Sequence, residues 1–143
     1  MAKTKKWTNT TGRETGIAGA AIVAGANFLG SEINNAINKS QLANIEVNFT
    51  CAVAPTVNKV IENYLIYAIS HTASAVYEDG SVAIDPTTTP IGFVAARAVT
   101  SAQRVTIKNI PLMPFRFKIL LKSELDQNAS GVSVHCYTHG EEL

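Results

Sequence analysis

The sequence predicts an all-β protein, an antiparallel β-sandwich preceded by an extended N-terminal arm. Arg104–Ile110 and Phe115–Lys122 alternate apolar and polar residues with period 2, and turn-forming residues separate seven or eight segments of this kind. Because side chains on a strand point alternately to its two faces, each such segment predicts one buried and one exposed face. No alternation of strand and helix patterns is visible. About eight short strands in two sheets favour a jelly-roll-like arrangement.

The first sixteen residues predict the arm, and residues 17–143 predict one sandwich domain. Residues 1–16 are polar and basic at their start and have no apolar periodicity, which is typical either of an extended arm or of a disordered tail. Trp7 is the only tryptophan of the chain, and a large ring in a polar arm suits an anchor in a neighbour's pocket.

The same arm supplies most of the predicted partner-binding residues. Three lysines without interleaved aromatic residues are weak support for nucleic-acid binding, so nucleic acid is not an expected partner. An acidic protein surface is the better match for them. The predicted arm contacts are Lys3, Lys5, Lys6, Trp7 and Arg13.

Three strands are predicted in the N-terminal half. Ala21–Leu29 places Ile22, Ala24, Ala26 and Phe28 on one face. Asn44–Val53 alternates most clearly, and Val60–Ile69 is apolar on both faces from Tyr64 onward. The last pattern is typical of a central strand that is covered on both sides, or of a strand whose outer face meets a partner.

A long loop, Ser70–Pro90, separates these strands from the C-terminal half. Loops of this length are usually functional, and Tyr77, beside a turn at Asp79–Gly80, is predicted as a partner-binding residue. Strands are predicted again at Ile91–Val99 and Val132–Thr138.

No arrangement of residues predicts catalysis, a metal or a cofactor. His135 and His139 are four residues apart, which on a strand separates them by about 13 Å, too far for one ion. Cys51 and Cys136 fall on the apolar faces of predicted strands, which favours two buried free thiols.

The composition describes a domain of ordinary size with an unusual surface. The chain has 143 residues, 46% hydrophobic and only 16% charged, with a net charge of +1. A weakly charged surface is consistent with assembly into a homo-oligomer, a dimer or trimer, and equally with a plain polar surface. No leader sequence or membrane span is expected, because the apolar run Ile17–Leu29 is short and interrupted by glycines.

Four segments carry a resemblance to a known family. RAVTSAQRVTIKNIPLMPFRFKILLKSELDQNASG, together with YEDG, the closing YTHGEEL and the earlier GSEINNAINKSQLANIEVNF, resembles small tailed-bacteriophage virion proteins. The similarity covers most of Ile22–Leu143 and leaves out the arm. Arg116 and Ser123 depart from the family pattern, where lysine and asparagine are expected. The resemblance implies a jelly-roll cement or decoration protein of the capsid.

The leading functional prediction is therefore a non-enzymatic virion protein that is assembled in the host cytoplasm and stabilises the capsid shell. Its expected partners are the major capsid protein or other virion subunits. A neck, tail or baseplate component is one alternative. A surface module that binds glycans through the Ser70–Pro90 loop and Tyr77 is the other, and an enzyme is not expected.

Overall fold

Two antiparallel sheets face each other in the computed structural model, which describes residues 6–69, 76–81 and 83–142, with residues 6–12, 38, 141 and 142 described by their backbone alone. The strands are β1 (Lys6–Ile22), β2 (Asn27–Leu29), β3 (Ile33–Asn34), β4 (Leu42–Cys51), β5 (Val60–Tyr67), β6 (Gly92–Ala95), β7 (Gln103–Pro111), β8 (Arg116–Ser123) and β9 (Ala129–Glu142), and the helix is α1 (Asn35–Asn38).

The strand order is that of a jelly roll. The first sheet has the order β1-β9-β4-β7. The second has the order β2-β8-β5-β6, and β3 pairs with β8 beyond the end of β2. If β2 and β3 count as one interrupted strand, the chain has eight strands. Numbered along the chain, their spatial order is 1-8-3-6 in the first sheet and 2-7-4-5 in the second. This arrangement is a double Greek key of eight strands, so the predicted fold class is confirmed.

The main core lies between the two sheets. In β4, Ile45, Val47 and Phe49 are fully buried while the residues between them are half-buried, as period 2 requires. Phe117 of β8 faces them from the second sheet, and its ring contacts that of Tyr67 edge-on at a centroid distance of 5.9 Å. Cys51 and Cys136 are buried free thiols in this core, as predicted.

A second apolar cluster covers the outer face of the second sheet. Tyr64, Ile66 and Leu120 are buried there, and Leu29 and Tyr77 pack against them. Tyr77 belongs to the long loop, which folds back so that Ala68 and Tyr77 form a bridge. The prediction that Val60–Ile69 is covered on both sides is therefore confirmed.

The backbone around Gly30 links the two sheets by hydrogen bonds. Its N–H donates to the Ile119 carbonyl at 2.8 Å, and the N–H of Ser31 donates to the Gly16 carbonyl at 2.8 Å. A Cβ atom at Gly30 would lie 2.6 Å from the Gly16 oxygen, closer than real Cβ atoms come. Glycine at this position therefore allows the segment between β2 and β3 to pass directly against the backbone of β1.

The N-terminal segment differs from its prediction. Residues 6–16 belong to β1, which pairs with β9 from Lys6↔Glu142 onward and runs through the predicted domain boundary between residues 16 and 17. Ala21–Leu29 is not one strand, because the Ala26 N–H donates to the Val23 carbonyl in a turn and Gly25 has φ +74°. Alternation alone does not reveal such a turn among alanines.

Candidate functional site

The outer face of the first sheet is a continuous polar surface, called here the polar face. The inward residues of its strands are apolar, so their neighbours in sequence point outward, and most of these are polar. The outward residues that form the polar face are Arg13, Thr15, Asn44, Glu46, Asn48, Arg104, Thr106, Ser133, His135 and Tyr137.

Strand register arranges these side chains in rows across the sheet. In the first row Tyr137 lies between Arg13 and Asn44, and its side chain is the large apolar group of this face, with 37% of its surface exposed. In antiparallel strands directly opposed residues have Cβ atoms about 5 Å apart, so the ring is flanked on both sides by polar groups.

The second and third rows continue the surface away from Tyr137. The second row is Thr15–His135–Glu46–Thr106, in which the Thr15 Oγ1 and His135 Nδ1 atoms are 3.3 Å apart. The third row is Ser133–Asn48–Arg104.

Glu46, Asn48 and Arg104 form one hydrogen-bonded network. Asn48 Nδ2 donates to Glu46 Oε1 at 2.9 Å, and Arg104 Nε donates to Asn48 Oδ1 at 3.0 Å. The Arg104 Nε atom is also 3.8 Å from Glu46 Oε1. The carboxylate is only 16% exposed while the arginine side chain is 73% exposed. The network therefore anchors the guanidinium at its inner nitrogen while most of the side chain remains in water.

An open cleft of about 500 Å³ lies at the Arg104 end of the polar face. It is lined by Asn48, Phe49, Thr50, Ala102, Gln103, Arg104 and Gly131. Gln103 is buried and holds the β6–β7 connection in place, because its side chain accepts from the Arg97 N–H at 2.8 Å and donates to the Arg97 carbonyl at 3.1 Å.

A β-bulge in β9 forms one side of this cleft. Asn48 pairs with Ser133, whereas Thr50 pairs with Ser130, so β9 has one extra residue here. Gly131 takes the left-handed conformation with φ +57°, and a Cβ atom there would meet nothing within 4 Å. This is the geometry of a glycine bulge, which bends a strand and is frequent beside binding sites.

The polar face carries many groups that can form hydrogen bonds. Its amides, hydroxyls, carboxylate and guanidinium offer both donors and acceptors on a rigid sheet, next to one exposed ring. Across residues 6–69, 76–81 and 83–142, no group of three or more histidine, cysteine or acidic side chains is arranged to hold a metal ion. In the same ranges, no helix is long and apolar enough to cross a membrane.

Arg13 and Tyr77, the two sequence-predicted binding residues whose side chains the structure describes, lie on opposite faces of the sandwich. Lys3 and Lys5 lie outside the described residues, and the backbones of Lys6 and Trp7 pair with the end of β9. Arg13 lies on the polar face next to Tyr137.

Tyr77 lies on the opposite side of the sandwich and is half-buried. Its hydroxyl donates to the Glu32 carboxylate, which also accepts from Arg116 Nη1 at 3.0 Å. Burial, reinforced by Glu32, raises the pKa of Tyr77. The Lys118 ammonium lies 4.5 Å from the centre of its ring. One face of this ring is therefore already occupied, which makes Tyr77 a poor stacking surface. Residues 70–75 and 82 of the loop lie outside the described part of the chain.

Sequence reasoning missed Tyr137 and the Asn48–Arg104 pair as site residues. The signal for Tyr137 was present, because it alternates with the inward residues Val134 and Cys136 and must therefore point outward. The pairing of Asn48 with Arg104 joins residues 56 positions apart, and no local pattern predicts it.

The fold is a jelly-roll β-sandwich, and the polar face is one of its exposed surfaces. No family model matches the chain, and no curated protein matches it. Among solved structures, the chain is similar to the CBM36-1 domain of a multidomain xylanase from the hindgut metagenome of Trinervitermes trinervoides. The two are 9% identical over 93% of this chain and 96% of that one, with a TM-score of 0.48.

A second similar structure is TmCBM61 in complex with β-1,4-galactotriose. It is 8% identical, with 96% of this chain and 87% of that one covered and a TM-score of 0.31. Both solved structures are carbohydrate-binding modules.

These findings overturn the resemblance to tailed-bacteriophage virion proteins. The family comparison and the curated comparison return no match, and the similar solved structures are carbohydrate-binding modules rather than virion components. The predicted role in capsid decoration and the predicted virion location are therefore wrong. The predicted partner subunits, the dimer or trimer and the absence of enzymatic activity stay predictions.

Proposed function

We propose that this protein is a non-catalytic glycan-binding module and that its binding surface is the polar face. The observation that carries the proposal is the exposed ring of Tyr137 at one end of a rigid track of hydrogen-bonding side chains. The proposal stands on these residues and not on the distant similarity to other modules.

The ring supplies the apolar part of the contact. A sugar ring has polar hydroxyls at its edge and C–H groups on its faces, and a tyrosine ring can cover such a face while its hydroxyl remains in water. The Tyr137 ring is exposed to 37% and emerges from a strand whose other face is packed in the core. It therefore loses little conformational freedom on binding.

The neighbouring side chains supply the polar part. Asn44 and Arg13 flank the ring, and Asn48 and Arg104 lie two rows away. Four residues of an antiparallel strand span about 14 Å, so the track from Asn44 to Asn48 fits a short oligosaccharide better than one sugar. Amides and a carboxylate satisfy hydroxyls that act as donor and acceptor together.

Binding to neutral polysaccharides, compared between two matched variants, tests this proposal. We would measure affinity electrophoresis in soluble galactan, xylan, mannan and mixed-linkage glucan for the wild type, Tyr137→Ala and Phe93→Ala. Phe93 is the matched control, because it is an exposed ring, at 57%, on β6 of the other sheet. Neither ring belongs to the buried core, so both variants should fold.

The expected result is retardation of the wild type by at least one polymer, weakened about tenfold or more by Tyr137→Ala and unchanged by Phe93→Ala. Loss of binding on Phe93→Ala with full binding by Tyr137→Ala would contradict the proposed face. Absence of retardation in every saccharide polymer, neutral or acidic, would contradict glycan binding itself.

A further inference from the structure

The Arg104 guanidinium is held in place at one nitrogen and open at the other two. Its Nε atom donates to Asn48 Oδ1, while within the described residues its terminal nitrogens make no hydrogen bond. The amide of Asn48 is itself oriented by its bond to the half-buried Glu46. A long cationic side chain that is oriented in this way has already lost part of the freedom that ligand binding would cost.

The open nitrogens lie at a cleft with room for a ligand. Arg104 lines the cleft of about 500 Å³ together with Asn48 and the bulge glycine Gly131. The Glu46 carboxylate approaches Arg104 only at Nε, 3.8 Å away, so it orients the cation and leaves its outer edge available. A guanidinium offers pairs of parallel N–H donors that match the two oxygens of a carboxylate or a sulfate.

The charge of the polar face favours an anion at this position. Arg13 and Arg104 are exposed cations on its first and third rows, and the acidic residue between them, Glu46, is already engaged with Asn48 and Arg104. The two arginines outnumber the one carboxylate in these three rows, and a net positive charge favours encounter with an anionic ligand.

We infer that the cleft accepts an acidic saccharide and that Arg104 binds its oxyanion, either the carboxylate of a uronic acid or a sulfate ester. The inference rests on the proposed function and names the ligand class of the same face. Tyr137 then packs against one sugar of the chain, and Arg104 selects the charge of another about 17 Å away, four residues along the strands and two strands across.

The test compares the affinity for acidic polymers with that for their neutral counterparts. Each variant replaces one cationic side chain with a neutral one. Wild type, Arg104→Gln and Lys108→Gln are titrated with polygalacturonate, fully methyl-esterified polygalacturonate, dextran sulfate and dextran at physiological salt. Lys108 is the matched control, because it is an exposed cation on the same strand that does not line the cleft. Thermal unfolding checks that the variants fold.

We expect the wild type to bind at least one acidic polymer about tenfold or more tighter than its neutral counterpart. Arg104→Gln should remove this preference, while Lys108→Gln should keep it. Preference for polygalacturonate identifies the carboxylate, and preference for dextran sulfate identifies the sulfate ester. Equal losses in the two variants would overturn the inference, because they would indicate diffuse attraction rather than a site.

Two further outcomes separate this inference from the proposed function. Binding of neutral polymers that depends on Tyr137, without preference for an acidic polymer, would overturn the inference and leave the glycan-binding face standing. Absence of binding to every polymer by the folded protein would overturn both.

Discussion

The bulge at Gly131 offers the sharpest test of how the cleft is built. Gly131 has φ +57°, a conformation that costs an ordinary L-residue about 1–2 kcal/mol. Its Cβ would meet no atom within 4 Å, so Gly131→Ala adds backbone strain without a clash. Alanine also restricts the unfolded chain, which returns about 0.4–1 kcal/mol. The expected net loss of unfolding free energy is therefore about 1 kcal/mol.

Urea denaturation followed by circular dichroism measures this loss. With a slope of about 2 kcal/mol per molar urea, the midpoint of Gly131→Ala should fall by about 0.5 M. Gly131→Asn should fall less, because asparagine tolerates the left-handed region better. Gly140→Ala is the control, since its Cβ would lie no closer than 3.8 Å to any neighbour. A Gly131→Ala protein as stable as the wild type would refute the bulge argument.

Two further predictions concern the packing of the sandwich. Gly30→Ala should lower the free energy of unfolding by about 2–4 kcal/mol, because its Cβ would lie 2.6 Å from the Gly16 oxygen. The same urea assay measures this loss, and a loss as small as that of Gly140→Ala would refute the close approach. Burial raises the pKa of the Cys51 thiol above its ordinary value of 9.0, and burial followed by the Glu14 charge raises the pKa of Cys136 to about 12. A disulfide reagent at pH 8 should therefore label neither thiol until guanidinium unfolds the protein, and rapid labelling of the folded protein would contradict this. Because Cys136 ionises at a lower pH in the unfolded chain than in the folded protein, the free energy of unfolding should fall as the pH rises from 9 to 12.

Local alternation predicted two of the C-terminal strands, β7 and β8, closely. The strand predicted at Phe115–Lys122 is β8, Arg116–Ser123. The strand predicted at Arg104–Ile110 is β7, Gln103–Pro111. In both strands most of the inward residues are apolar and most of the outward residues are polar, so the period of 2 can be seen in the residue types. The strand predicted at Asn44–Val53 is β4, Leu42–Cys51, so the prediction lies two residues too late at both ends.

The first strand could not be predicted in this way. β1 is an edge strand that pairs only with β9, and its N-terminal part lacks the apolar alternation that a strand over a core would show. The hydrogen bonds that define it come from the far end of the chain. Lys6 pairs with Glu142, a pairing that no window of neighbouring residues contains.

The candidate site was hidden for the same reason. Asn48 and Arg104 were each predicted to point outward from separate strands, but their hydrogen bond depends on the register between β4 and β7. The cleft also depends on the one-residue bulge at Gly131, which the sequence presents only as a glycine after a turn. Tyr137 was visible from alternation, but its neighbours Arg13 and Asn44 are more than ninety residues away in the chain.

Binding of a saccharide to the outer face of the first sheet is what we propose for this protein. Its most direct measurement is a titration of ¹⁵N-labelled protein with oligosaccharides of the polymer that binds best, followed by amide chemical shifts. We expect the shifted amides to cluster at residues 13–15, 44–48, 104–106 and 133–137. Shifts confined to the second sheet and its covering loop, around Tyr64, Tyr77 and Phe93, would contradict the account.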